Sequence, residues 1–239
     1  MTTTVDNIQY FLKVTVRLQT FPLFCFYLLL VALSPLWQRI SSPLNLRPVL
    51  IVYNFACSCV SAYTLVGFVY AIYKSGSTFH RESTSAILPF FWAYWMTKNL
   101  ELLDTVFMVL RHKQRQISFL HVYHHSSILL LSDVAYHHYP WPAIAVFLGL
   151  NSFVHVVLYF YYGLTALSPG NPPQWKKNLT QLQIFQFLIG FVQASIGYAY
   201  HHFCVYSILY GMTMTCLFSN FYYQAYIRKP KTQVNDKIK

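Results

Sequence analysis

Charge is what this chain has least of. Only 10% of its 239 residues are charged, and six of those are acidic, whereas a water-soluble domain carries about 25%. A surface of this kind excludes an ordinary soluble globular protein. Cysteine is sparse as well: Cys25, Cys57, Cys59, Cys204 and Cys216 fall inside apolar runs with no ligand-like clustering. Cys57 and Cys59 are spaced too tightly for a zinc pair, so all five read as packing residues. No small-residue cleavage site follows the first apolar run, so no cleavable signal peptide is expected. Internal repeats and low-complexity segments are also missing.

Apolar residues fill the space, at 56% of the chain with 20 Tyr and 20 Phe. Long runs of them predict an all-α membrane protein, one polytopic domain over residues 1–239. Seven spans are expected, at 20–38, 48–73, 86–110, 117–135, 142–164, 180–199 and 203–227. Each is near the ~20 residues that cross a bilayer core. Pro22, Pro35, Pro48, Pro89, Pro140 and Pro142 fall near span ends or break them, as helix boundaries do. Residues 1–19 read as an interfacial approach to the first span, and 228–239 as a tail.

Lysine and arginine set the orientation. Arg39, Arg47, Arg111, Lys113, Arg115, Lys176, Lys177, Arg228, Lys229, Lys231, Lys237 and Lys239, twelve of seventeen, lie on one side of this topology. Lys13, Arg17, Lys74 and Arg81 lie on the other, and Lys98 is within a span. The positive-inside rule then puts the C-terminus in the cytosol and the N-terminus in a lumen or outside.

Polar residues inside the spans form stripes. The third span carries Lys98, Glu101, Asp104 and Thr105; the fifth carries Asn151, His155, Tyr159 and Tyr162; the sixth opens with Thr180, Gln183, Gln186 and Gly190. At the head of the fourth span, His121, His124 and His125 sit at i, i+3 and i+4, sharing one helical face. Such stripes must face one another or a wet cavity, so spans three to six are expected to enclose a polar chamber nearest the cytosol. For Lys98, Glu101 and Asp104 the plainer reading is an ion pair that only fastens helices together. His137, His138, His201 and His202 fall at the opposite membrane face, and read as interfacial along with Trp141.

Several chemistries suit this pattern. An HxxHH motif occurs in membrane di-iron oxygenases, but only His112, His121, His124, His125 and His155 share the cytosolic side, few for a histidine-rich iron centre. A single mononuclear metal stays open. Metal-free chemistry is favoured: a neutral imidazole serves as nucleophile or as general base near neutral pH. Asn151 and Gln183 are candidates to hold a developing enolate or oxyanion. No serine or cysteine sits beside the cluster in a triad. The substrate that fits is an amphiphile with a long acyl tail and an anionic head. Coenzyme A phosphates match the basic rim, Arg115, Lys176 and Lys177 included, although topology signalling alone explains those charges. Gln186, Tyr159 and Tyr162 are further candidate substrate contacts. A seven-span transporter or receptor with a polar ligand path is the alternative from another class.

Four stretches, read together, resemble the ELO family of very-long-chain fatty acid elongases. Lys98-Asn-Leu-Glu101-Leu-Leu-Asp104-Thr105 matches its KxxExxDT motif, and His121-Val-Tyr-His124-His125 its HxxHH box. Asn151-Ser-Phe-Val-His155-Val-Val-Leu158-Tyr159-Phe-Tyr161-Tyr162 resembles its NxxxHxxMYxYY box, with Leu158 in place of the usual Met, a swap that keeps volume and polarity. Thr180-Gln-Leu-Gln183-Ile-Phe-Gln186-Phe187 resembles its TxxQxxQF box. The motifs run in order over residues 98 to 187; the flanking spans match in hydropathy only.

The resemblance implies a 3-ketoacyl-CoA synthase of the endoplasmic reticulum, an acyltransferase joining an acyl-CoA to malonyl-CoA with loss of CoA and carbon dioxide. It implies seven helices, six of them in an inverted-repeat barrel around a narrow acyl tunnel, and no metal or other cofactor. It implies that His124 takes the acyl group as an imidazole adduct, with His121, His125 and His155 in orientation, proton handling and enolate stabilisation. Asn151 would fix an imidazole or a carbonyl, and Lys98, Glu101 and Asp104 would orient the histidines. Expected partners are the bilayer, the reductases and dehydratase of the same cycle and a second copy of the chain, with no nucleic acid. Gln116-Ile-Ser-Phe-Leu-His121-Val-Tyr-His-His resembles the version in the polyunsaturated-chain branch, where the saturated-chain branch tends to carry Trp before Tyr-His-His; a C18–C20 polyunsaturated substrate is therefore expected. The family's dilysine retrieval signal is incomplete here, since Lys237 is three from the end with no lysine at four or five.

Overall fold

The computed structural model describes residues 13–228, which are mostly helical and contain no strand. The main helices are α1 (Phe21–Ile40), α2 (Arg47–Ser75), α3 (Leu88–Leu100), α4 (Leu103–Leu110), α5 (Phe119–His138), α6 (Pro142–Leu167), α7 (Lys176–His201) and α8 (Val205–Tyr222). A 3-10 turn, Gln114–Gln116, precedes α5, and a π turn, Tyr223–Ile227, extends α8. Proline opens α1, α2, α3 and α6, where its missing N–H costs nothing. Ser118 caps α5, its Oγ accepting from His121 N at 3.2 Å. Gly76 ends α2 with φ +68°, a left-handed cap that glycine adopts without strain.

Four helices, α1, α2, α6 and α7, are long and apolar enough to cross a membrane. The other expected spans coincide with helices of a different character. α5 and α8 dilute their apolar residues with His, Ser, Thr, Asn and Tyr. The third span, expected as one run over 86–110, is divided at Glu101 and Leu102 into α3 and α4. Lys176 and Lys177, expected in a loop, form the first turn of α7, and Arg47 is the first residue of α2. Residues 1–12 and 229–239 lie outside the described residues, and with them four of the tail lysines and the retrieval signal.

Helix contacts follow a closed circuit. α2 meets α3, α3 meets α5, α5 meets α8, α8 meets α7, α7 meets α6, and α6 returns to α2. α1 packs against α4 and α5. The α2–α6 seam is the most extensive, and small polar residues let it close: Thr64 Oγ1 lies 2.9 Å from Ser152 Oγ, and Ser58 Oγ donates to Val156 O at 2.9 Å. Arg47 caps the end of α6 by donating to Ala166 O at 2.9 Å and Leu167 O at 2.7 Å.

Two anchors close the end of the bundle away from His121, His124 and His125. Asp133, 1% exposed, accepts from Thr20 N and Thr20 Oγ1, each at 2.8 Å, and lies 2.9 Å from His137 Nδ1. A carboxylate there completes the bare N–H groups at the start of α1. The Arg81 guanidinium sits 4.9 Å over the Trp141 ring and donates to His201 O at 3.2 Å.

Candidate active site

The break between α3 and α4 builds the first wall of the site. Glu101 (φ −63°, ψ −15°) and Leu102 (φ −62°, ψ −22°) have 3-10-like backbone angles. Asp104 N donates to Glu101 O at 3.1 Å, and Thr105 N to Leu102 O at 3.1 Å, both three residues back. In a 3-10 turn, residues three apart eclipse. The tightening therefore brings Asp104 into line with Glu101, which follows Lys98 by one α-helical turn. An unbroken α-helix would fan them around the axis.

α6 supplies the facing line. Asn151, His155 and Tyr159 recur every four residues and meet the α3–α4 line rung by rung. Tyr94 OH donates to Asn151 Oδ1 at 2.8 Å, His155 Nδ1 lies 2.9 Å from Glu101 Oε1, and Tyr159 OH donates to Asp104 Oδ2 at 2.7 Å. Lys98 Nζ closes on both oxygens of Glu101, at 2.8 and 2.9 Å. Lys98 and Glu101 are 2% and 0% exposed, so this pair is buried.

Proton accounting fixes His155. Were its Nδ1 unprotonated, its lone pair would face that of Glu101 Oε1 at 2.9 Å. Nδ1 therefore carries the proton and donates to the carboxylate, leaving Nε2 with a free lone pair. The 3.2 Å approach of Lys98 Nζ to the same nitrogen is then two donors converging on one carboxylate.

α5 brings the second wall. The His124 ring stands 6.3 Å from His155, 5.3 Å from His125 and 6.3 Å from Phe218 of α8. No hydrogen bond occupies a ring nitrogen of His124 among the described residues, and the residue is half-buried. His125 is buried, and its Nδ1 has no hydrogen-bond partner among the described residues. His121 Nε2 lies 2.7 Å from Thr105 Oγ1, with its ring 4.3 Å from that of His125. The arrangement sets the unoccupied ring nitrogens of His124 and His125 next to a carboxylate-held histidine. Nucleophilic attack, proton transfer and oxyanion support are the chemistries such groups perform.

The remaining expected site residues lie further out. Gln186 is buried on α7 and Gln183 half-buried, while Arg115, Lys176 and Lys177 are exposed. Lys177 Nζ lies 5.8 Å over the Tyr222 ring. Tyr159 is fully within the site, whereas Tyr162 is 42% exposed and packs on the rims of Tyr159 and Tyr161. His112, counted with the cytosolic histidines, is engaged elsewhere: its Nε2 lies 3.1 Å from Ser41 Oγ. Sequence reasoning missed Tyr94. The available signal was its position one turn before Lys98, on the same stripe.

A family model described as ELO: GNS1/SUR4 family matches residues 15–234. The chain is similar to very long chain fatty acid elongase 5 of Homo sapiens, 34% identical over 226 residues, covering 89% of this chain and 76% of that protein. It is similar to very long chain fatty acid elongase 2 of Mus musculus, 35% identical over 239 residues, covering 92% and 80% respectively. With very long chain fatty acid elongase 4 of Homo sapiens it shares 35% identity over 225 residues, covering 86% and 70%.

Proposed function

Because the chain belongs to the ELO (GNS1/SUR4) family, we propose a mechanism for it in which one imidazole carries the acyl chain between two thioesters. The protein is a multi-pass membrane enzyme of fatty acid elongation, a very-long-chain 3-oxoacyl-CoA synthase. Its substrates are acyl-CoA and malonyl-CoA. The observation that carries the mechanism is the convergence of an unoccupied His124 with the Lys98–Glu101–His155 array.

A lone pair of neutral His124 attacks the acyl thioester carbon. The carbon–sulfur bond breaks, CoA leaves as thiolate and takes up the proton that the acylated imidazole sheds. Malonyl-CoA then binds and loses carbon dioxide. The carbon nucleophile so formed attacks the acyl carbon, and the carbon–nitrogen bond breaks. His124 leaves as the imidazolate and takes up one proton from water, the proton the overall condensation consumes, which regenerates the neutral ring, and 3-ketoacyl-CoA, two carbons longer, is released. His155, with Nδ1 held by Glu101, offers Nε2 to move protons; His121 and His125 support the oxyanion, and Asn151 the enolate. Lys98, Glu101 and Asp104 act by holding these groups. The reaction needs no metal or prosthetic group in this scheme; elemental analysis of the purified protein tests that, stoichiometric iron being the contrary result.

The circuit of α2, α3, α5, α8, α7 and α6 supports a six-helix barrel, with the α2–α3–α5 and α6–α7–α8 triples as its inverted repeats and the acyl tunnel between them. Counting α3 and α4 as one crossing gives seven spans. Exposed Arg115, Lys176 and Lys177 suit CoA phosphates at the cytosolic mouth, and Gln183, Gln186, Tyr159 and Tyr162 the path inward. The site belongs at the cytosolic face of the endoplasmic reticulum, N-terminus lumenal, alongside the reductases and dehydratase of the cycle and a second copy of the chain. Val122 in the HxxHH box supports a C18–C20 polyunsaturated acyl-CoA as preferred substrate. Purified protein incubated with a panel of acyl-CoAs and labelled malonyl-CoA reads the reaction and its chain preference together. Extension by two carbons, greatest for polyunsaturated chains, is expected; product without malonyl-CoA contradicts the reaction.

A further inference from the structure

α1 carries none of the four motifs, yet one of its side chains reaches the histidine cluster. Tyr27 is 2% exposed and packs with Leu102 and Leu129. Its hydroxyl lies 3.2 Å from Thr105 Oγ1, and Thr105, with no exposure, lies 2.7 Å from His121 Nε2 through the same oxygen. Three polar groups from α1, α4 and α5 therefore form one chain of contacts ending on an imidazole.

The direction of that chain follows from where each hydrogen can go. Tyr27 has no hydrogen-bond acceptor other than Thr105 among the described residues, so a buried phenol must donate there. Thr105 Oγ1 makes no bond to a carbonyl of its own helix, in contrast to Thr97, which donates to Ala93 O at 2.7 Å. Its hydrogen is thus left for His121 Nε2. The reverse direction strands the phenol hydrogen in an apolar cluster. Nε2 of His121 is an acceptor, and the ring hydrogen sits on Nδ1.

We propose that Tyr27, acting through Thr105, locks His121 as the Nδ1–H tautomer and is a positioning residue for the acyl transfer. The proposal rests on the reading of His121, His124 and His125 as the reacting cluster. Its consequence is chemical. An imidazole free to exchange tautomers offers an N–H donor to a developing oxyanion only part of the time. One whose Nε2 is permanently occupied keeps its donor at Nδ1 throughout. α1, which lies against the circuit of helices, thereby acquires a task in the chemistry.

Two-bond nitrogen–proton correlation spectra of histidine-labelled protein in detergent test the tautomer directly, with the His121 signal assigned by its loss in His121→Asn. Wild type is expected to show protonated Nδ1 and unprotonated Nε2. Tyr27→Phe is expected to give a mixture of tautomers and to lower kcat roughly fivefold, the scale of one neutral hydrogen bond, with KM for acyl-CoA and melting temperature unchanged. Thr105→Ser keeps the hydroxyl and retains the Nδ1–H signal; Thr105→Val loses it, and adding Tyr27→Phe to Thr105→Val costs nothing more. An Nε2–H signal for wild-type His121 overturns the proposal, as does a Tyr27→Phe protein whose spectrum and kcat match wild type, or one that loses kcat only in proportion to lost fold. The underlying site reading fails separately: a His124→Ala protein that still condenses refutes it, whereas the tautomer is read with no substrate present.

Discussion

His155 and Glu101, 54 positions apart in sequence, meet at 2.9 Å between Nδ1 and Oε1 in the middle of the helical bundle. The contact orients the imidazole, fixes its tautomer and turns Nε2 toward reaction. It also places a carboxylate deep in an apolar setting, where Lys98 is the cation that compensates it among the described residues. Several consequences of this pairing and its neighbours are open to experiment.

Glu101→Gln removes the charge that compensates a lysine 2% exposed. Breaking one side of a buried ion pair costs about 3–5 kcal/mol. A lowered melting temperature in detergent and lost condensation are expected. Lys98→Met with Glu101→Gln removes both charges, so it recovers much of the stability and none of the activity. The two readouts separate fastening from catalysis.

Tyr159→Phe deletes the donor that lies 2.7 Å from Asp104 Oδ2. Loss of a buried bond to a carboxyl group costs roughly 1–3 kcal/mol. Thermal melting measures that loss, and turnover falls with it because Asp104 and His155 share the same wall.

Tyr94→Phe frees the Asn151 amide, whose Oδ1 the phenol now holds at 2.8 Å. The amide then no longer presents its NH2 in a fixed direction. Condensation with malonyl-CoA is expected to fall roughly tenfold, a fraction of what loss of an oxyanion donor costs. Acylation by the first thioester, followed as CoA release in a single turnover, stays at its wild-type rate.

Asp133→Ala strands Thr20 N–H, its hydroxyl and His137 at the opposite end of the bundle. An unfolding penalty of about 1–3 kcal/mol follows. Condensation per folded molecule stays unchanged, which shows that the cost is confined to the α1–α5 anchor.

Much of this site is written in residue spacing. The i, i+3, i+4 histidines of α5 and the four-residue recurrence of Asn151, His155 and Tyr159 state that each set shares a face. What spacing hides is geometry that departs from the α-helix. Lys98, Glu101 and Asp104 are three apart, and the turn at Glu101 and Leu102 is what brings Asp104 into line with Glu101. Tyr27 and Tyr94 do not stand out for another reason: in a chain with 20 tyrosines, a phenol bonded to a site residue looks like one facing lipid headgroups, and for Tyr94 the place one turn before Lys98 is the one distinguishing sign. Asp133 was equally silent, a single acid in a helix that gives no hint of the distant backbone it caps. Lys176 and Lys177 read as loop because charge marks the edge of an apolar run, whereas α7 begins one turn earlier, in its polar rim.

Intact mass spectrometry of the purified protein, incubated with acyl-CoA in the absence of malonyl-CoA, tests the central claim most directly. A gain equal to the acyl group is expected, lost on adding malonyl-CoA and absent from His124→Ala. The same gain in His124→Ala, or wild-type turnover with no acylated protein at any time, contradicts the account.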